Sequence, residues 1–128
     1  MIYRGRCLCG AVAFEVAGAL STPHACHCRQ CRRQSGHYVV SSDARRAEVR
    51  FTADSGLAWY RSSPKAERGF CRHCGSALLW RQDEATLSIN LGCLEETAEL
   101  KVAGHIFVAD KGDYYDITDA LPQSAGYD

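Results

Sequence analysis

The chain has 128 residues, and its 15 lysines and arginines balance 15 aspartates and glutamates at a pI near 6.9. That balance leaves no broad basic surface, which counts against nucleic acid and anionic membrane as partners. No run approaches the roughly 18 apolar residues of a bilayer span, and the opening MIYRGRCLCG lacks an apolar signal stretch. Eight cysteines without such a leader point to a reducing, cytoplasmic setting, where thiols stay free or bind metal. The length reads as a single domain, 1–128.

In chain order, the apolar pattern is mostly period two. Ile2–Arg6 and Ala11–Val16 read as a hairpin pair around CLCG, with Val12, Phe14 and Val16 on one face. Strands are predicted at His37–Ser42, Glu48–Thr52, Leu57–Arg61, Arg68–Cys71, Ser76–Arg81, Thr86–Leu91 and His105–Ala109, with a weaker one at Tyr114–Ile117. Arg29–Gln34 and Glu95–Leu100 read as short helical turns. No segment holds a helical stripe over the ~11 residues that an amphipathic helix needs. Many short strands separated by Gly, Ser, Asp and Pro turns imply an all-β fold of several small curved sheets with little helix.

Seven of the cysteines fall into three clusters, CLCG at 7–10, CHCRQC at 26–31 and CRHCG at 71–75. In a C-x-x-C-G knuckle the backbone turns its N–H groups toward the first sulfur, and the glycine takes a positive φ. Gly75 has that place, and Cys71 and Cys74 then supply two ligands. Cys7 and Cys9, two apart on a strand, face the same side and are the natural second pair. Such a clip would restrict the unfolded chain strongly. A disulfide framework is disfavoured because C-x-C partners bridge only with strain. A thioredoxin-like C-x-x-C sits at a helix start in a βαβ unit, whereas CRHCG reads as strand–knuckle–strand.

Cys26, Cys28 and Cys31 offer three thiolates on one loop and the first turn of a helix. His24, His27, Cys93 or an exogenous ligand are the candidates for a fourth place, with an open position the leading reading. His27 points away from the sulfurs and reads as a solvated loop histidine. Arg29, Arg32, Arg33, Arg68 and Arg72 cluster with the sulfurs, either as plain solvated charge or as partners for thiolates and anionic substrate.

With these residues in place, the chain resembles the glutathione-dependent formaldehyde-activating enzyme family, which includes the centromere protein V-like proteins. The matching stretches are CLCGAVAFEV, HCRQCRRQSG, YRSSPKAERGFCRHCGSAL, INLGCLEE and HIFVADKGDYYDITDALPQ. The resemblance implies an Mss4-like fold of coiled antiparallel sheets and two zinc ions per chain. It implies structural zinc ligands at Cys7, Cys9, Cys71 and Cys74 and catalytic zinc ligands at Cys26, Cys28 and Cys31. The implied activity joins glutathione to formaldehyde and is classed as a carbon–sulfur lyase. Arg32, Arg33 and Cys93 are the expected substrate-binding residues. A thiol that coordinates zinc loses its proton, and its sulfur can then attack a neighbouring aldehyde. No general acid or base stands out. The rival readings are a non-enzymatic zinc-stabilised binding module and a redox or metal sensor built on CHCRQC.

Overall fold

Alternation along the second strand does what a half-buried sheet demands: Val12, Phe14 and Val16 are all at most 1% exposed, while the residues between them are half-buried. The computed structural model describes residues 2–127. Ten strands occur among them: β1 (Ile2–Arg6), β2 (Ala13–Ala17), β3 (His24–Cys26), β4 (Val39–Arg45), β5 (Val49–Ala53), β6 (Leu57–Arg61), β7 (Glu67–Cys71), β8 (Ala77–Arg81), β9 (Thr86–Asn90) and β10 (His105–Ile106). One helix, α1 (Arg29–Ser35), follows β3. The all-β expectation with little helix therefore holds.

The strands form two sheets, one ordered β1-β2-β5 and the other β10-β3-β4-β9-β8-β7-β6. All pairings are antiparallel except the short parallel pair of β10 with β3. The two sheets share one core, in which Phe14 and Val49 of the small sheet meet Leu79, Leu87 and Ile89 of the large one. Full burial of a Leu, Ile, Val or Phe side chain contributes roughly 1.5–3 kcal/mol, so this patch contributes strongly to stability. Gly5 pairs with Phe14 across β1 and β2, and a Cβ there would run into the Phe14 ring. The glycine lets the ring lie flat over the strand.

Four expectations need correction. His24–Cys26 is a strand that the sequence did not announce, paired to β4 on one side and β10 on the other. Glu95–Leu100 is not helical: the Glu95 N–H donates to the Arg4 carbonyl at 2.8 Å, and the Glu96 carboxylate accepts from the Arg4 backbone and side chain. Bonds to β1 replace the bonds that a helix would make to itself. His105–Ala109 is a strand only as far as Ile106, because Phe107 adopts a left-handed conformation (φ 57°) and the chain enters a 3-10 turn. Tyr114–Ile117 does not join a sheet; Tyr114 donates to the Gly36 carbonyl at 3.1 Å instead, at the C-terminal end of α1.

Candidate metal centres and the cavity beside them

The first sulfur group is built from two turns brought together by the sheets. β7 delivers Cys71, and the turn into β8 delivers Cys74. Gly75 closes that turn at φ 79°, with its N–H on the Cys71 carbonyl at 2.8 Å. The turn between β1 and β2 carries Cys7 and Cys9 and closes on Gly10 at φ 86°. The Leu8 N–H donates to the Ser76 hydroxyl at 3.0 Å, joining the two turns. The Sγ atoms of Cys7, Cys9, Cys71 and Cys74 all lie within 4.8 Å of one another, with Cys9 at 3.7 Å from both Cys7 and Cys71.

Backbone and side-chain donors favour thiolate at Cys7 and Cys74, whereas the Cys9 thiol is pushed up to about 11. The Val12 N–H points at Cys7 Sγ at 3.3 Å. The Ser76 hydroxyl, then its N–H, hold the Cys74 thiol down at about 5. Four sulfurs at this separation, two of them buried, suit one tetrahedral zinc with no place for a substrate.

The second group lies at the end of β3 and the start of α1. Cys26 ends the strand, Cys28 caps the helix by accepting the Cys31 N–H at 3.3 Å, and Cys31 is buried in the first turn. Their Sγ atoms also lie within 4.8 Å of one another. The Cys26 and Cys31 thiols donate toward Cys28 and hold it low, whereas Cys26 is pushed up by the sulfurs of Cys28 and Cys31. Crowded sulfurs that compete for protons are the donor set that a soft cation relieves.

Arg68, on β7, places both terminal guanidinium nitrogens 3.7 Å from Cys31 Sγ. Its fork is fixed by the Gln30 and Gln34 side-chain carbonyls at 3.1 and 2.9 Å. The three sulfurs open on a cavity of about 620 Å³ whose wall includes Arg29, Arg68, Trp80, Phe107 and Tyr127.

The other candidate residues fall as follows. His24 lines the same cavity, with Nδ1 3.1 Å from the Thr22 carbonyl, and is not grouped with the sulfurs. Cys93 lies away from this cavity, beside Cys7; its thiol donates to the Asn90 carbonyl at 3.0 Å, and burial pushes its pKa up to about 12. Arg32 and Arg33 are on α1 but not on the cavity wall, where Arg29 and Arg68 stand instead.

His27 corrects an expectation. It does point away from the sulfurs, but it is fully buried rather than solvated. Its Nδ1 bonds the Tyr115 hydroxyl at 2.6 Å, and its Nε2 bonds His105 Nδ1 at 2.9 Å. His105 Nε2 in turn meets the Asp119 carboxylate at 3.0 Å. Desolvation, then the neighbouring His105, lowers the His27 pKa to about 4, so the ring is neutral. The only sequence trace of this chain of bonds is the CHC alternation at 26–28, which sends His27 to the face opposite Cys26 and Cys28.

The family model for the glutathione-dependent formaldehyde-activating enzyme matches residues 2–110. The chain belongs to this family. An uncharacterized lyase of Schizosaccharomyces pombe is 27% identical over 117 residues, covering 89% of this chain and 84% of that protein. A crystal structure of a Rhodobacter sphaeroides protein superimposes with a TM-score of 0.61 at 24% identity, over 94% of this chain and 98% of that one. That likeness supports the fold alone. The all-β, Mss4-like architecture expected of the family is the one observed, and both cysteine groups are placed to hold metal ions.

Proposed function

We propose that the protein is a zinc-dependent enzyme of the carbon–sulfur lyase type. It joins a small, glutathione-like thiol to an aldehyde such as formaldehyde and gives an S-hydroxymethyl thioether; the reverse reaction cleaves the C–S bond. The observation that carries this reading is the group of Cys26, Cys28 and Cys31 on the cavity wall, joined by no other ligand residue among the described ones. The family match and the lyase-named relative support it.

Zinc at these three thiolates would lower the pKa of a fourth, substrate thiol and hold its sulfur. The chain's own residues do the rest. Arg68 sets a positive charge against Cys31 and limits the negative charge that three thiolates build up. Arg29, 71% exposed and only loosely paired to Asp110 at 3.6 Å, is available on the wall for a carboxylate of an acidic thiol. The cavity brings thiol and aldehyde together, which is the entropic part of the rate. Cys7, Cys9, Cys71 and Cys74 keep the fold and take no part in the reaction.

The test is two-dimensional exchange NMR on zinc-loaded protein with a panel of small thiols and aldehydes. Interconversion of free thiol and hydroxyalkyl thioether should exceed the spontaneous rate for at least one pair, and Cys28→Ser should abolish the excess while the protein stays folded. A panel with no acceleration by the wild type rejects the enzymatic reading.

A further inference from the structure

The reaction turns a carbonyl oxygen into an alkoxide before it becomes a hydroxyl, and that oxygen needs a donor. The sulfurs carry no donor for it, Arg68 is committed to Cys31, Gln30 and Gln34, and Arg29 pairs with Asp110. The C-terminal segment supplies another group. Residues 122–126 run beside β10 and the turn after it: the His105 N–H donates to the Pro122 carbonyl at 2.9 Å, Ser124 N–H to His105 at 2.9 Å, and Phe107 N–H to Gly126 at 3.0 Å. These bonds bring the next residue, Tyr127, to the wall of the cavity that holds Cys26, Cys28 and Cys31.

Its ring rests edge-on against Phe107, with centroids 4.8 Å apart at 72°. Phe107 is the one non-glycine residue at positive φ among those described, a conformation that side-chain-bearing residues rarely adopt. That conformation turns the chain out of β10 and sets the Phe107 ring against Tyr127. Tyr127 is 70% exposed, so a substrate in the cavity mouth can reach it.

Resting on the thiol–aldehyde reading above, we infer that Tyr127 is a catalytic residue: its hydroxyl donates the hydrogen bond that holds the aldehyde oxygen while the substrate sulfur attacks the carbonyl carbon. The C–S bond forms, the C=O π pair moves to oxygen, and the tyrosine O–H stabilises the charge that develops there. The proton that the thiol gave up on binding returns through solvent to that oxygen, so thiol plus aldehyde balances hydroxyalkyl thioether and the phenol ends unchanged. A phenol ionises at about 10, so the Tyr127 hydroxyl carries its proton near neutral pH and can donate it in a hydrogen bond.

Tyr127→Phe keeps the ring against Phe107 and removes only the donor. Exchange NMR should show the catalysed rate falling roughly 10²-fold, as for loss of one oxyanion donor, with zinc content and ethanethiol affinity unchanged. Titration calorimetry reads the contact without turnover. Zinc-loaded wild type should bind 2-mercaptoethanol about fivefold tighter than ethanethiol, from one hydrogen bond, and Tyr127→Phe should bind the two alike. Turnover by the wild type with an undiminished rate in Tyr127→Phe overturns this assignment alone. A wild type with no preference for the hydroxyl-bearing thiol also overturns it. Absence of turnover by the wild type overturns the thiol–aldehyde reading and this inference with it.

Discussion

Arg68 and Cys71 lie three residues apart on β7 and serve different sulfur groups. The burial of β7 alternates, with Gly69 and Cys71 buried and Arg68 and Phe70 half-buried, so the two side chains leave opposite faces of the strand. Cys71 joins the four-sulfur group, and the Arg68 guanidinium reaches Cys31. One strand therefore sets the distance between the four-sulfur group and the three-sulfur group. Arg68→Ala should weaken metal at Cys26, Cys28 and Cys31 roughly tenfold or more, the usual loss when a group bonded to a metal-holding side chain is removed. Arg68→Lys should recover only part, because an ammonium cannot take the Gln30 and Gln34 carbonyls and face the sulfur as one planar fork. Chelator competition, read separately for the two metals, checks this: equal weakening of both sites would show a general loss of structure instead.

The two sulfur groups should separate by mutation. Cys71→Ser should unfold or severely destabilise the protein, since metal binding there is folding free energy. Cys28→Ser should lose one metal and keep a cooperative thermal transition, because its site spans only a short local stretch. Gly56→Ala gives a milder probe of the first site. A Cβ at Gly56 would sit 2.9 Å from both Cys71 Sγ and Ala11 Cβ, so something must shift. The expected cost is about 1–3 kcal/mol, read by urea denaturation of the zinc-loaded protein. A neutral Gly56→Ala variant would mean the Cys71 turn moves more freely than its hydrogen bonds indicate.

Cys93 should mark the alkaline limit. In the fold its thiol is held protonated to about 12, whereas an unfolded cysteine ionises near ~8.5. Above that lower value the unfolded chain has released a proton that the native chain still holds. Stability from this group is therefore complete below ~8.5 and declines as pH rises toward 12. Cys93→Ala should flatten that part of the stability curve, even though it loses some packing at every pH. The same burial predicts that zinc-loaded protein at pH near 8 shows no rapidly alkylated thiol. Prompt modification of Cys93 by iodoacetamide, mapped by mass spectrometry, would refute this.

Much of the fold was legible because its strands alternate, and both sulfur groups were legible because ligand spacing is local. What escaped depended on partners far along the chain. β3 is three residues long, and its pairing to β4 and β10 carries its identity rather than its own pattern. Glu95–Leu100 has helical composition, yet Arg4, about ninety positions earlier, takes its carboxylate and amide. The cavity wall shows the same limit. Arg29 and Arg32 look equivalent in CRQCRR, and only the helix direction puts Arg29 on the wall and Arg32 off it. Tyr127 is one of six tyrosines by composition and stands out only through its contact with Phe107.

His27 ties the loop that carries Cys26 and Cys28 to the rest of the fold through polar side chains. It lies between Cys26 and Cys28, and its two ring nitrogens are committed to Tyr115 and His105. The first partner is 88 positions away and the second 78, so the loop is tied to the C-terminal third of the chain. His27→Phe preserves an aromatic ring among Tyr38 and Tyr115 but leaves the Tyr115 hydroxyl and His105 Nδ1 without their partner. Each buried group left unsatisfied costs roughly 1–3 kcal/mol. The variant should therefore lose about 2–4 kcal/mol in urea denaturation, on the same per-group scale. It should also bind its second metal more weakly, because Cys26 and Cys28 are no longer held from behind. Metal at the four-sulfur group should stay in place, since those sulfurs come from the β1–β2 and β7–β8 turns. His27→Gln, which restores one of the two bonds, should recover part of both losses. A His27→Phe protein with wild-type stability and wild-type affinity for both metals would show that the histidine chain neither supports the fold nor positions the cysteine loop.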